Sequence, residues 1–301
     1  MKDLRFTLLV VENNDYQTEQ VISAQAAANR LGIQLQIIHT EHDALVQADQ
    51  VLKLVQSEPG KRPDGILFEP VGTSLAQAAR VAASHGVGWV VLNRESVDYF
   101  DSLRRQYSTP IFSMTISHTE VGRIQAEQVA RLLPHGGAVL YVQGPSDNEA
   151  SKQRCAGMMA AKPANVELRA LRGLWTEESA HHAVSQWLGL SIAKELGVGV
   201  VAAQNDAMAL GARRAFQEEA IGAIRDRWLH LLFIGCDGLP STGQAAVRRG
   251  LLTATVIIPA NAGQAIEVLA SSLRKSEQPP PCILTEASSY PPTSALKPVA
   301  M

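Results

Sequence analysis

The sequence predicts an α/β fold of two Rossmann-like lobes, each a doubly wound parallel sheet, and three observations predict it. The chain has 301 residues, about twice the usual length of one domain. Apolar runs alternate regularly with stretches of helical spacing, which is the pattern of βαβ units. Most of the runs are continuous rather than alternating, as in strands buried on both faces of a sheet by covering helices.

In order, the apolar runs at 6–11, 33–38, 65–68, 88–92, 138–142, 166–171, 198–202, 231–235 and 253–258 read as strands. Helical spacing falls between them at 17–31, 43–57, 74–85, 119–133, 149–161, 177–195, 206–219, 240–249 and 261–274. Pro259 suits the first position of the last of these helices, where its missing N–H costs nothing. The stretch SVDYFDSLRRQYSTP (96–110) has no clear period and divides two such series, so the lobe boundary is expected just after it. EQPPPC (277–282) and SYPPTSALKP (289–298) are too rich in Pro for helix and are expected to cross between lobes or to end the chain. This places residues 1–114 and 259–287 in one lobe and 115–258 and 288–301 in the other.

Composition excludes several classes of function. Lys+Arg 27 against Asp+Glu 29 gives a formal net charge of −2, and no run of Lys or Arg exceeds two, so there is no electrostatic footprint for nucleic acid. Cys155, Cys236 and Cys282 lie far apart, without a CxxC or a His at ligand spacing, which argues against a disulfide framework and a zinc site. FTLLVV (6–11) is too short for a signal peptide and has no small-residue cleavage site after it; it reads as a first strand. No apolar stretch approaches the roughly 18 residues of a membrane span. The chain is expected to be periplasmic if a leader has been removed, and cytoplasmic if it is complete as written.

Four strings, VLNRES (91–96), AQNDAMALG (203–211), IGCDGLP (234–240) and LTATVIIP (252–259), put polar groups at or near the ends of apolar runs. Each such residue also has a purely structural reading. Asn205 or Asp206 can cap the helix that follows, leaving the other to point outward, and Asn13-Asn14-Asp15 can be a loop with a cap. Asp237-Gly238 is also a turn dipeptide. Arg94 can pair with Glu95 or Asp98 on the surface, and Arg154 can be solvated. Tyr16 and Trp175 can be core. His181 and His182, being adjacent, face different ways and are expected toward solvent.

Position favours a site. Asn14, Asn93 with Arg94, Asn205 and Asp237 all follow different strands at their carboxyl ends, the edge where ligands bind in open α/β sheets. Asn offers donor and acceptor, Arg a rigid fork and Asp two acceptors, a set that matches vicinal hydroxyls. An aromatic face such as Tyr16 or Trp175 suits the C–H face of a sugar ring. The chain therefore reads as a small-molecule receptor.

On these residues the chain resembles the type 1 periplasmic binding proteins, near the ribose-type sugar-binding proteins and the effector core of lactose-repressor-like regulators. AQNDAMALG and IGCDGLP…AVRRGLLTAT match that family's pattern closely, and VENNDY, VLNRES and GPSDNEASKQRCAG less so. The resemblance implies three crossings between the lobes, a cleft that closes on ligand, and no catalysis. It implies ligand contacts from Asn14, Tyr16, Asn93 and Arg94 in the first lobe, and from Arg154, Trp175, Asn205 and Asp237 in the second. Asn93 stands where the ribose-type pattern has Asp, Gln17 and Cys236 where it has aromatics, and Ile258 where it has Gln. EEAIGAIRDRWLHLL (218–232) is longer than the family's connection and is expected to form a surface excursion.

No GxGxxG, GxxxxGK[ST], GxSxG or HExxH occurs, so neither a nucleotide cofactor nor these catalytic chemistries have their motifs. No cofactor or metal is expected. A repressor would need a helix-turn-helix ahead of the first strand. The expected ligand is a sugar, polyol or sugar acid, and the expected partners are the permease of an ABC uptake transporter or a sensor kinase. A ligand-sensing regulatory module acting on another protein is the alternative. Because Arg94 and Arg154 face Asp237 alone in the inferred pocket, either Glu12 turns inward to balance them or the ligand itself brings negative charge, as a sugar acid or phosphorylated sugar does; the first is the expectation.

Overall fold

A computed structural model describes residues 3–11, 14–41, 43–72, 75–95, 97–190, 197–219, 228 and 231–298. Two compact units divide the chain: Met1–Ile116 with Ala260–Thr285, and Ser117–Pro259 with Glu286–Met301.

The first unit runs β1 (Arg5–Val10), α1 (Asp15–Leu31), β2 (Gln34–His39), α2 (Ala44–Gln56), β3 (Gly65–Phe68), α3 (Ala76–Ser84), β4 (Gly88–Leu92), α4 (Phe100–Gln106) and β5 (Ile111–Ile116). The second unit follows with α5 (His118–Leu132), β6 (Gly137–Gln143), α6 (Glu149–Ala161), β7 (Val166–Arg172), α7 (Glu177–Leu188), β8 (Val198–Ala203), α8 (Asp206–Glu219), β9 (Leu232–Asp237), α9 (Gly243–Arg248) and β10 (Ala254–Ile257). The chain then returns to the first unit with α10 (Ala262–Lys275) and β11 (Cys282–Thr285), and ends in the second with β12 (Ser288–Tyr290) and a 3-10 turn at Thr293–Ala295.

The first sheet has the order β11-β5-β4-β3-β1-β2, and its neighbouring strands pair in parallel. The second has the order β12-β10-β9-β8-β6-β7, parallel apart from β12, which runs antiparallel to β10. Each order reverses direction between its first and third strands, at β1/β3 and at β6/β8. Chain segments leave the sheet to opposite faces there and open a crevice at the carboxyl ends.

Strand alternation fills the two faces of each sheet separately. Phe6, Leu8 and Val10 join Ala24, Ala28, Ile266 and Leu269 under α1 and α10, while Leu9 joins Val51, Ala79, Ala82, Phe100 and Leu103 under α2, α3 and α4. Leu140 and Val142 pack with Val184, Met208, Ala212 and Phe216; Val139 and Tyr141 pack with Ala126, Val129 and Met158. Close approach depends on small residues at particular places. A Cβ at Gly65 or Gly88 would run into the methyl groups of Leu269, so these glycines let α10 lie flat on β3 and β4. A Cβ at Gly122 would meet the Arg154 backbone carbonyl, and one at Gly157 that of Thr119, so α5 and α6 cross backbone to backbone beside Arg154.

The structure corrects the expected element list in three places. The stretch 96–110 holds α4, too short at seven residues to show a period, and is followed by β5, a fully buried strand IFSMTI that Ser113 and Thr115 disguise. Helix α10 begins at Ala262, with Asn261 at the position before it making no side-chain cap, so Pro259 lies ahead of it rather than at its first position. The Pro-rich tail supplies β11, β12 and one 3-10 turn directly after Pro292, because Pro is compatible with sheet edges and with the residue preceding a turn. Most of 218–232, and residues 191–195 of the helix expected at 177–195, lie outside the described residues, as do Glu12 and Asn13.

Candidate functional site

In the first unit the predicted residues meet at the carboxyl ends of β1, β3 and β4. Asn14 is extended (φ −128°, ψ 170°) and caps α1 by accepting from the Gln17 amide at 2.9 Å, a bond worth about 1 kcal/mol of helix stability. The cap orients the first turn, from which Tyr16, Gln17 and Gln20 reach across the sheet edge. The Ala262 amide donates to Gln20 Oε1 at 2.8 Å, Gln20 Nε2 donates to the Tyr16 hydroxyl at 3.0 Å, and Tyr16 donates to Asn93 Oδ1 at 3.3 Å. Asn93 Nδ2 then donates to Glu69 Oε2 at 2.9 Å, where Gln17 Nε2 also arrives at 2.8 Å, spanning the β1/β3 crevice. Every donor in the relay points the same way, so the bonds polarise one another and require an acceptor-only group at the end. Glu69 is that group. Arg94, half-buried next to Asn93, donates to the Pro70 carbonyl at 3.5 Å rather than pairing with Glu95 or Asp98.

In the second unit Arg154 is the centre. It projects from α6, is 6% exposed, and donates to the Gln204 carbonyl and, through Nε, to His118 Nδ1 at 3.4 Å. Its guanidinium carbon lies 5.4 Å from the centroid of the Trp175 ring, an arrangement worth about 0.5–2 kcal/mol depending on desolvation. Its Nη1 stands 3.9 Å from Asp237 Oδ1. Trp175 lies flat because residue 144 is Gly; a Cβ there would strike the indole. Asn205 fixes Trp175 from the other side: its Nδ2 donates to the Trp175 carbonyl at 2.8 Å and its Oδ1 caps α8 through the Met208 amide at 2.8 Å.

Beneath these residues Gln204 uses its whole amide. Oε1 accepts from the Gly144 amide and the Ser151 hydroxyl, both at 2.8 Å, and Nε2 donates to the Tyr141 hydroxyl and the Ser151 carbonyl, both at 3.0 Å. Burial raises the Tyr141 phenol above its ordinary range. Burial also pushes up the neighbouring Cys236 thiol, which keeps it a neutral packing group. Asp206, the first residue of α8, turns inward instead of outward and is 4% exposed; burial, and then the nearby Asp237 carboxylate, push its pKa well above the usual carboxylate range.

Backbone geometry separates three of these residues from the rest of the chain. Among the described residues, five non-glycine positions have positive φ: Glu41, Asn93, Trp175, Asp237 and Ser276. Three are predicted ligand contacts, with φ of 58° at Asn93, 66° at Trp175 and 97° at Asp237. Such conformations cost about 1–3 kcal/mol each and collect at functional sites, where the surroundings hold them.

Asn14, Tyr16 and Asn93 thus belong to one network with Gln17 and Glu69, and Arg154, Trp175, Asn205 and Asp237 to another with Gln204. Sequence reasoning missed Glu69, Gln204 and the inward turn of Asp206. Glu69 had a signal, a carboxylate directly after the continuous apolar strand GILF; Glu12, the acid expected to turn inward, lies outside the described residues. His181 is also less exposed than expected, pairing with Glu218 at 2.7 Å. Among the described residues no three His, Cys, Asp or Glu side chains are placed to share a metal ion, and no helix is long and apolar enough to cross a membrane.

Residues 6–277 match the family described as periplasmic binding protein domain. The ribose import binding protein of Escherichia coli (strain K12) is 23% identical over 261 residues, 85% of this chain and 79% of that protein. An ABC transporter periplasmic solute binding protein from Actinobacillus succinogenes 130z, solved with bound D-allose, superposes with a TM-score of 0.79 at 19% identity, over 96% of this chain and 97% of that one. The periplasmic binding protein component of the arabinose ABC transporter from Shewanella sp. ANA-3, bound to L-arabinofuranose, superposes with a TM-score of 0.78 at 21% identity, over 97% and 93%.

Proposed function

This chain belongs to the periplasmic binding protein family, and we propose that it captures a sugar-like small molecule for ABC-type uptake, without a catalytic step. Asn14, Tyr16, Asn93 and Arg94 contact the ligand from the first unit, and Arg154, Trp175, Asn205 and Asp237 from the second. Glu69 joins the first set. The protein acts in the periplasm and delivers its ligand to a permease.

The observation that carries the reading is the concentration of positive-φ backbone at Asn93, Trp175 and Asp237, each at the carboxyl end of a strand. Amides, carboxylates and an arginine fork are held there on rigid elements, which suits a polyhydroxylated ligand recognised by paired donors and acceptors. Trp175 supplies the apolar wall for its C–H face. Similar solute binding proteins of known structure are described with bound D-allose, L-arabinofuranose and myo-inositol, polyhydroxylated ligands in agreement with that chemistry.

A calorimetric and thermal-shift screen of D-ribose, D-allose, L-arabinose, myo-inositol and the corresponding sugar acids tests the reading. Ligand at 100 times its Kd adds about 2.7 kcal/mol of stability, an upward shift in melting temperature that Arg154→Ala and Asp237→Ala abolish. Small-angle scattering of the same samples gives a smaller radius of gyration with ligand, as hinge closure requires. Failure of every sugar, polyol and sugar acid to stabilise the protein overturns the proposal.

A further inference from the structure

Asp237 presents its side chain from a backbone conformation, φ 97°, that an aspartate adopts only when its neighbours enforce it. On one side the enforcement comes from the sheet: the Asp237 carbonyl accepts from the Ile258 amide at 2.9 Å. On the other side it comes from Asp206. Asp206 Oδ2 accepts from the Gly238 amide at 2.8 Å, and Oδ1 accepts from the Thr255 hydroxyl at 2.6 Å.

The space around that carboxylate is built for it. A Cβ at Gly235 would strike Asp206 Oδ1, and one at Gly243 would strike Oδ2, so two glycines on β9 and at the start of α9 leave room for a side chain belonging to α8. A Cβ at Gly238 would come within 2.6 Å of the Ile257 Cα, so the turn itself is pressed against β10. One buried side chain thereby ties the start of α8, the β9–α9 turn and strand β10 together. Its pairing with two donors explains an acid at this position, and burial beside Asp237 raises its pKa.

We propose that Asp206 is the positioning residue of the binding site: it clamps the Asp237–Gly238 turn and so holds the Asp237 carboxylate beside Arg154. The proposal rests on the reading of Asp237 as a ligand contact. Asp206 itself, being enclosed, touches no ligand. Its effect on binding passes through Asp237, and an isosteric amide replaces it in part, because Asn accepts from the Gly238 amide with one atom and donates to the Thr255 hydroxyl with the other.

The test combines a double-mutant cycle with a spectroscopic readout on glycine-labelled protein. The probe is whichever of D-ribose, D-allose and L-arabinose binds the parent most tightly. Asp206→Ala weakens probe binding by about tenfold or more, and Asp206→Asn by about threefold or less, as expected for loss or retention of a buried hydrogen bond. In the Asp237→Asn background the additional loss from Asp206→Ala shrinks, which is the signature of two residues acting through one another. The Gly238 amide resonance moves in Asp206→Ala and stays close to its parental position in Asp206→Asn. If Asp206→Ala does not fold, Asp206→Ser, too short to reach the Gly238 amide, takes its place with the same expectations. Unchanged affinity in the Ala or Ser variant, an undiminished loss in the Asp237→Asn background, or an unmoved Gly238 resonance overturns the clamp. If none of the three sugars binds the parent protein, the best ligand from the wider screen of polyols and sugar acids replaces them; failure of that whole screen sinks the sugar-like reading, and the Gly238 resonance still decides whether the clamp exists.

Discussion

Glu69 and Asn93, at the ends of the adjacent strands β3 and β4, are joined by a 2.9 Å hydrogen bond from Asn93 Nδ2 to Glu69 Oε2. The carboxylate is the terminus of a relay of donors that starts at the Ala262 amide. Asn93→Asp therefore sets a second carboxylate against the first and costs about 1.5–3 kcal/mol of stability. The reciprocal double substitution Glu69→Gln with Asn93→Asp exchanges amide and acid across the same pair and recovers most of that loss. Chemical denaturation of the parent, both single variants and the double variant measures the coupling; strictly additive losses would show that the pair is not a unit.

Trp175 and Gly144 make a second linked pair. Gly144→Ala puts a methyl group where the indole lies, so the ring must tilt away from Arg154 and surrender part of the cation–π contact, about 0.5–2 kcal/mol. Sugar affinity falls in Gly144→Ala and falls further in Trp175→Ala, whereas Trp175→Phe, which keeps a flat ring beneath the guanidinium, falls least. Calorimetric titration ranks the three. Equal affinity in Gly144→Ala and the parent would remove the indole from the site.

The raised pKa of Asp206 has a definite sign for stability against pH. In the unfolded chain this carboxyl releases its proton near its ordinary value of 3.8, while in the folded protein it holds the proton to higher pH. As pH rises between those two values the unfolded state binds fewer protons than the folded one, so Asp206 contributes stability at low pH that is lost as pH climbs through the folded-state value. Asp206→Asn does not titrate. Its melting temperature relative to the parent therefore increases as pH is raised from about 4 toward neutrality, and a difference independent of pH would show that Asp206 ionises normally in the fold.

Much of the architecture was legible because parallel strands covered on both faces must be continuously apolar: GILF and GWVVL appear as strands in the sequence and in the sheet alike. β5 was hidden by the same logic. Ser113 and Thr115 interrupt its run, yet Ser113 N bonds the Pro281 carbonyl, a partner more than 160 residues away that no local pattern reveals. The candidate contacts were legible where polarity breaks sharply at a strand end, as at Asn93 and Asp237. Glu69 broke the pattern equally sharply and was passed over beside Pro70, since a polar residue before Pro reads as an ordinary turn. Gln204 and Asp206 were beyond local reading, because their roles depend on Gly144, Gly238 and Thr255 being brought to them by three other elements.

Helix α10 lies flat on β3 and β4 through Gly65 and Gly88, and Ala262, Ala265, Ile266 and Leu269 fill the core that Phe6, Leu8 and Phe112 share. All of α10 is encoded after Pro259, so during synthesis the first sheet emerges with one face covered by α1 alone while the whole stretch 117–259 is still being translated. At about 5–20 residues per second that delay is on the order of ten seconds. For that interval Leu67 and Val90, on the strands that α10 covers, lack that cover, and the nascent chain is a natural client for a chaperone that shields apolar surface. The second unit can close most of its core first, which makes the order of maturation the reverse of the order of translation.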